Sequence, residues 1–223
     1  MQKISIDKYI ISLMMHIMVL LIGLFIAHFG VTLFLQSNLG SDPYNVFVQG
    51  AFRTLQHLTG LEYLTHGYTH VLISSLIIII LLISDRSYIK IGTVLCMIFG
   101  GPIIDLFTRL IKNYINDSLP FFLRILVLMA GCFILAFGMT IVIKSEAGTG
   151  PNDLVAIVLS DKIKKKFSII RILVDIIFVA VGWLLGGVVG IGTIICAFMV
   201  GPIAGIFLPL NEKLIRKLYS KVH

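Results

Sequence analysis

Charged residues are scarce in this chain of 223 residues, where Asp, Glu, Lys and Arg make up 13% and hydrophobic residues 58%. Soluble domains carry about 25% charged residues, and disordered chains are poor in apolar ones, so the composition excludes both classes. The chain has only three cysteines, an odd number that argues against a disulfide framework. It lacks metalloprotease, nucleophile-elbow and phosphate-loop motifs, so we expect no enzyme activity, no cofactor and no metal site.

Long apolar runs fill most of the chain. A helix needs about 20 apolar residues to cross a bilayer. Six runs come close to or exceed this length: 10–35, 68–84, 91–111, 121–143, 167–186 and 188–210. The sequence therefore predicts an all-α membrane protein with six transmembrane helices.

The distribution of Lys and Arg predicts the orientation of these spans. With the N-terminus inside the cell, 14 of the 18 Lys and Arg residues belong to inner segments and adjoining span ends. Cytoplasmic segments are enriched in these residues, so both termini are predicted to be cytoplasmic. The net charge of +7 then reflects orientation, and we expect no nucleic-acid partner. The basic run 162–166 is expected to contact anionic membrane lipid.

Two sequence patterns occur twice. Segments 40–46 and 148–154 follow the first and fourth runs, and each places a proline after a turn containing glycine. Ile-Gly-Thr, then Cys, then Gly-Pro-Ile occurs in 91–103 and again 100 residues later in 191–203. Units of three spans, an odd number, must be inverted relative to each other. The sequence predicts repeats over 1–118 and 119–223 that together form one membrane domain.

A short extra helix is predicted after the first span of each repeat, over 43–57 and 151–164. Proline suits the first position of a helix, and Asp or Gly before it can cap the helix. A helix N-terminus offers unpaired N–H groups and a positive potential that suits an anion or a carboxylate. The candidate pathway residues here are Asp42, Pro43, Tyr44, Asn45, Pro151, Asn152 and Asp153. The alternative is that these turns only cap their helices. Two placements of the short helices are open, re-entrant or along the interface.

Gly-Pro pairs interrupt the third and sixth spans at matching places, Gly101-Pro102 and Gly201-Pro202. Such interruptions in two halves are typical of transporter sites, so these four residues are candidates for the pathway. The alternative is a packing kink at which glycines allow two helices to approach closely. In both cases we expect the third and sixth spans to face each other at the centre.

Four charged residues lie within predicted spans at four-residue spacing, Asp105 with Arg109 and Arg171 with Asp175. Charged groups in a membrane usually face the protein interior or water. Asp105 and Asp175 are therefore candidates for proton or cation coupling. The alternatives are a self-neutralising pair on one helix face, or arginines that extend to the membrane surface.

The paired motifs Gly40-Ser41-Asp42-Pro43 and Gly148-Thr149-Gly150-Pro151, with 92–107 and the matching part of the sixth span, resemble the YczE/YyaS/YitT family. These are small multi-pass bacterial membrane proteins. The family pattern has Gly before the Pro and Asp after it, whereas here the first half has Asp42 and Asn45 at those positions. The resemblance implies location in the bacterial cytoplasmic membrane and implies no substrate.

Two functions fit the sequence. The first is a small secondary transporter or channel for a small molecule or ion, favoured by the paired motifs. The second is a non-transporting membrane protein that assists or regulates a partner protein, favoured by the scarcity of charge within the spans and the small size. We expect lipid contact in both cases, and a second copy or another protein as an assembly partner.

Overall fold

The computed structural model describes residues 6–220, apart from the side chains of residues 6–9 and 168. Within this range the chain forms α-helices, one short 3-10 helix and no strand. The helices are α1 Ile6–Ser37, α2 Pro43–Thr59, α3 His66–Ser84, α4 Ile91–Ile111, α5 Phe121–Lys144, α6 Pro151–Ile163, α7 Phe167–Leu184 and α8 Ile191–Tyr219. The prediction of an all-α protein is confirmed for the described residues, including both short helices.

Five of the helices are long and apolar enough to cross a membrane: α1 from Ile10 onward, α3, α4, α5 and α8. Their outward side chains are apolar and exposed, such as Ile83 at 84% and Phe198 at 76%. An apolar exterior of this extent requires lipid around it. The run 167–186 forms α7, which is not among these five and carries two charged side chains, Arg171 and Asp175.

The most extensive helix packing joins α1 and α5. Glycines bring their backbones together, because a Cβ on Gly30 would lie 2.8 Å from the Gly131 carbonyl oxygen. Likewise, a Cβ on Gly138 would lie 2.7 Å from the carbonyl oxygen of Gly23. Since Gly23 meets Gly138 and Gly30 meets Gly131, the two helices run antiparallel. Small residues at a crossing allow this close approach of membrane helices.

The prediction that the third and sixth spans face each other at the centre is wrong. Helix α4 packs against α1 and α3, whereas α8 packs mainly against α5. Gly101 of α4 lies against Gly67 of α3, while Gly201 and Pro202 of α8 are exposed. The closest helix contacts therefore form where glycines occur on both partners, and α8 offers none opposite α4.

This difference between Gly101 and Gly201 gives a matched prediction. A Cβ on Gly101 would lie 2.8 Å from the Gly67 carbonyl carbon and from Val71 Cγ2, whereas a Cβ on Gly201 meets nothing within 4 Å. We expect Gly101→Val to lower the free energy of unfolding by about 1–3 kcal/mol, because overpacking forces backbone shifts. Gly201→Val should change it by less than about 0.5 kcal/mol. Thermal unfolding of the two purified variants in detergent checks this, and equal losses would contradict it.

The turns after α1 and α5 each bind the start of a long helix from the other half of the sequence. The N–H of Gly192 donates to the Leu39 carbonyl at 2.8 Å, and the N–H of Gly92 donates to the Ala147 carbonyl at 3.0 Å. In each turn the next residue is a glycine with positive φ, 111° at Gly40 and 147° at Gly148. Residues other than glycine rarely adopt this backbone conformation. The two turns are thereby fixed, and with them the starts of α2 and α6.

Candidate functional site

The start of α2 is built around the carboxylate of Asp42. Its oxygens accept from the backbone N–H of Asn45 at 3.3 Å, from Asn45 Nδ2 at 2.8 Å and from Ser41 Oγ at 3.2 Å. Pro43 occupies the first turn. The sequence prediction of an Asp42 cap followed by a proline start is therefore confirmed. All groups that donate to this carboxylate are neutral.

The start of α6 has the same backbone plan with different side chains. Gly150 precedes Pro151 in extended conformation and supplies no side-chain cap. Asn152 Nδ2 donates to Asp153 Oδ1 at 3.1 Å, so the acidic group of this helix start lies within its first turn. A carboxylate at this place is favourable because of the positive potential of a helix N-terminus.

A charged triad joins α6 to α7. The guanidinium of Arg171 donates to Asp175 Oδ2 at 3.1 Å and also binds Asp153 Oδ1. The three side chains are between 20% and 30% exposed. Arg171 therefore binds two carboxylates, and its pairing with Asp175 on one helix face is confirmed. Its contact with Asp153 could not be predicted from spacing along one helix, because Asp153 belongs to α6.

Both helix starts open into one cavity of about 1040 Å³. Ligand sites for drug-sized molecules are of this order, and they combine apolar walls with a few convergent polar groups. Of the candidate pathway residues, nine line it: Asp42, Pro43, Tyr44, Asn45, Pro151, Asn152, Asp153, Asp175 and Gly201. Four are not part of the lining: Gly101, Pro102, Asp105 and Pro202. Sequence reasoning thus anticipated both helix starts and missed Arg171 in the lining.

Residues at matching positions of the two sequence repeats line this cavity in pairs. Positions 42–45 line it together with 150–153, at an offset of 108 residues. The same offset relates the lining residues Ala27 and Leu135, and an offset of 100 relates Cys96 and Cys196. Residues from both halves of the chain therefore line the cavity.

The carboxylate of Asp105 is not part of the cavity lining and binds the start of α3. Its carboxylate accepts from Thr65 Oγ1 at 2.5 Å and from the backbone N–H of Gly67 at 3.0 Å. These groups belong to the start of α3, whose unpaired N–H groups need acceptors. The alternative, a pair with Arg109 on the same helix face, is not formed among the described residues, and Arg109 is exposed. Asp105 thus fastens α3 to α4 outside the cavity.

Histidines form a second polar wall of the cavity, on α1 and α3. The rings of His28 and His70 lie 5.6 Å apart between centroids, and the Tyr44 ring lies 5.3 Å from that of His70. The hydroxyl groups of Tyr44 and Ser74 are 2.7 Å apart. A Cβ on Gly100 would lie 2.9 Å from both histidine rings, so a glycine is needed there to admit them. Their meeting could not be predicted from the sequence, because His28 and His70 are far apart in the chain.

Within the described residues, two polar atoms of the cavity wall are buried without a hydrogen-bond partner, His70 Nδ1 and Thr149 Oγ1. Buried polar atoms are nearly always paired, so each such exception calls for an explanation.

The surroundings of the Asp42 carboxyl shift its pKa. Burial raises its pKa, and hydrogen bonds from Asn45 and Ser41 and the charge of Arg171 oppose that rise.

Comparisons with known proteins identify the family. The chain is 29% identical to the uncharacterized membrane protein YczE of Bacillus subtilis (strain 168) over 195 residues, which cover 86% of this chain and 85% of that protein. It is 26% identical to the uncharacterized protein YyaS of the same organism over 195 residues, 86% of this chain and 92% of that one. An uncharacterized protein of Haemophilus influenzae is 27% identical over 206 residues, 92% of this chain and 88% of its own.

No solved structure gives a significant match to the chain. The family model "Family of unknown function (DUF6198)" matches residues 14–209, and the resemblance to YczE and YyaS inferred from the paired motifs is confirmed. The chain is therefore an integral membrane protein that belongs to the DUF6198 family.

Proposed function

We propose that this protein is a small secondary transporter or channel of the bacterial cytoplasmic membrane, and that its pathway includes the cavity. The observation that carries the proposal is the meeting of two helix starts and a charged triad at one cavity of about 1040 Å³. Buried charge is costly inside a membrane and is typical of substrate and ion pathways. A scaffold protein has no need of a large cavity lined by carboxylates.

The proposed architecture is two inverted repeats, 1–118 and 119–223, each of three membrane helices and a short helix, with α7 as the fifth of six spans. Support comes from contacts that occur twice in equivalent form. The hydrogen bonds Gly192 to Leu39 and Gly92 to Ala147 are equivalent, and so are the two glycine contacts between α1 and α5. Many transporters place their substrate between inverted repeats, where short or interrupted helices begin.

The proposed orientation has both termini in the cytoplasm. It rests on the excess of Lys and Arg in the segments assigned to the inner side. In this orientation the connection after α2 is outside, and the basic connection after α6 is inside. The starts of α2 and α6 then approach the cavity from opposite sides of the membrane, as expected for a site between two inverted repeats.

Water access to the cavity separates the transporter from the non-transporting alternative. With the three native cysteines replaced by alanine, Asn152→Cys places a thiol on the cavity wall, and Ile80→Cys places one on the exposed apolar face of α3. Thiols react as hydrated thiolates. In membranes, a charged methanethiosulfonate should therefore modify the thiol at position 152 at least about 100-fold faster than the thiol at position 80. Equal and negligible rates at both positions would contradict a pathway and favour a protein that assists a partner.

A further inference from the structure

We infer that the cavity binds a monovalent organic cation in exchange for the proton of Asp42, an inference that rests on the proposed transport function. Three carboxylates face the cavity, on Asp42, Asp153 and Asp175, against the single guanidinium of Arg171. Each of the two helix N-termini adds about half a positive charge. With all carboxylates ionised, the wall therefore keeps an excess of about one negative charge, which favours a cation.

Asp42 is the carboxylate that remains for the ligand. Asp153 and Asp175 both bind Arg171, whereas the groups that donate to Asp42 are the neutral side chains and backbone of Ser41 and Asn45. A buried carboxylate without a cationic partner is stable when it holds a proton or when a cation lies beside it. Burial raises the pKa of Asp42 and so favours its protonated form while no cation is bound.

A second feature of the wall independently indicates a ligand. His70 is only 5% exposed, lines the cavity, and its Nδ1 atom has no hydrogen-bond partner among the described residues. Thr149 also lines the cavity, and its Oγ1 atom likewise has no hydrogen-bond partner among the described residues. Two unpaired polar atoms on lining residues of one cavity are expected where a bound molecule completes their contacts.

The walls favour an organic cation over a bare metal ion. The described residues contain no cluster of three or more side chains that could hold a metal. Between the polar groups the lining is apolar, as at Leu24, Val31 and Met139, and it includes the ring of Tyr44. Aromatic faces attract cations, and apolar walls favour ligands with hydrocarbon parts.

The exchange conserves charge. When the cation enters, the O–H bond of the Asp42 carboxyl breaks, the proton leaves to water, and the carboxylate forms an ion pair with the cation. When the cation leaves, water returns a proton to the carboxylate, so one positive charge moves in each direction.

The titratable and charged groups around Asp42 are His28 on α1, Tyr44 on α2, His66 and His70 on α3, Cys96 on α4, Asp153 on α6, Arg171 and Asp175 on α7, and Cys196 on α8.

The test compares two probes of the same shape and opposite charge, tetraphenylphosphonium and tetraphenylborate, by equilibrium dialysis against the purified full-length protein in detergent. We expect the cation to bind more tightly than the anion. Its affinity should rise with pH, by up to about tenfold per unit, because one proton competes with it. Cation addition at low buffer strength should release about one proton per site. Asp42→Asn should weaken binding at least about tenfold and remove the pH dependence.

The control variant is Asp117→Asn, a carboxyl-to-amide change at an exposed side chain outside the cavity, which should leave binding unchanged. Tighter binding of the anion, unchanged cation binding by Asp42→Asn, or absence of proton release would overturn the inference. Proton release by the unaltered protein tests it even if Asp42→Asn does not fold. Cation binding with proton release, but without pH-driven uptake of the cation into proteoliposomes, would contradict the transport function and leave the binding site standing.

Discussion

Gly138→Leu is expected to abolish the folded protein. A Cβ at this position would lie 2.7 Å from the Gly23 carbonyl oxygen and 2.8 Å from Ala27 Cα, both in the backbone of α1. Backbone atoms cannot move aside as the end of a side chain can, so α1 and α5 would have to separate along their whole contact. Overpacking costs about 1–3 kcal/mol when only side chains shift, and we expect more than about 3 kcal/mol here.

The measurement is the yield of monodisperse protein from membranes, together with its thermal unfolding in detergent. Gly205→Leu serves as the control, since Gly205 is also in a membrane helix and a Cβ there meets nothing within 4 Å. The control should behave as the unaltered protein does. A stable, monodisperse Gly138→Leu variant would show that α1 and α5 do not cross at these glycines.

Arg171→Gln is also expected to lower the stability of the protein strongly. It leaves the carboxylates of Asp153 and Asp175 without their common cation, in a region where the three side chains are less than a third exposed. Removing one partner from a buried ion pair typically costs about 3–5 kcal/mol, because the remaining charge is uncompensated. We therefore expect the free energy of unfolding to fall by about this amount. Denaturation in mixed micelles at neutral pH measures it.

A charge-neutral triad should recover most of that loss. The variant with Arg171→Gln, Asp153→Asn and Asp175→Asn removes both uncompensated carboxylates and keeps the side-chain sizes similar. Arg109→Gln is the matched control, because Arg109 lies in a membrane helix, is exposed and should matter by less than about 0.5 kcal/mol. If the triple variant is no more stable than Arg171→Gln alone, the loss does not come from unpaired charge.

Local features of the fold could be predicted from the sequence because their causes are local. A proline at the first helical position marks where α2 and α6 begin, and the apolar runs determine where the long helices lie. The contribution of Asp105 to α3 was missed because its partners Thr65 and Gly67 lie about 40 residues away. A residue's spacing along its own helix cannot reveal such a partner.

The arrangement of helices at the centre was predicted wrongly for a reason that the sequence itself contains. Residues 23–30 and 131–138 share Gly, Phe, Ile, Phe and Gly at equivalent positions, at the same offset of 108 residues as the two helix starts. The prediction rested instead on the Gly-Pro pairs of the third and sixth spans. Two glycines on each partner allow close backbone contact, whereas Gly201 and Pro202 have no helix opposite them.

The measurement that tests the account most directly is the sidedness of the connections that follow α2 and α6. In the protein without native cysteines, Glu62→Cys and Lys165→Cys place single thiols at exposed, equivalent places of the two halves. A membrane-impermeant maleimide applied to intact cells should label the thiol at position 62, and should label the one at position 165 only after the membrane is opened. Labelling of both from the same side would contradict the inverted arrangement, and with it a pathway between two opposed helix starts.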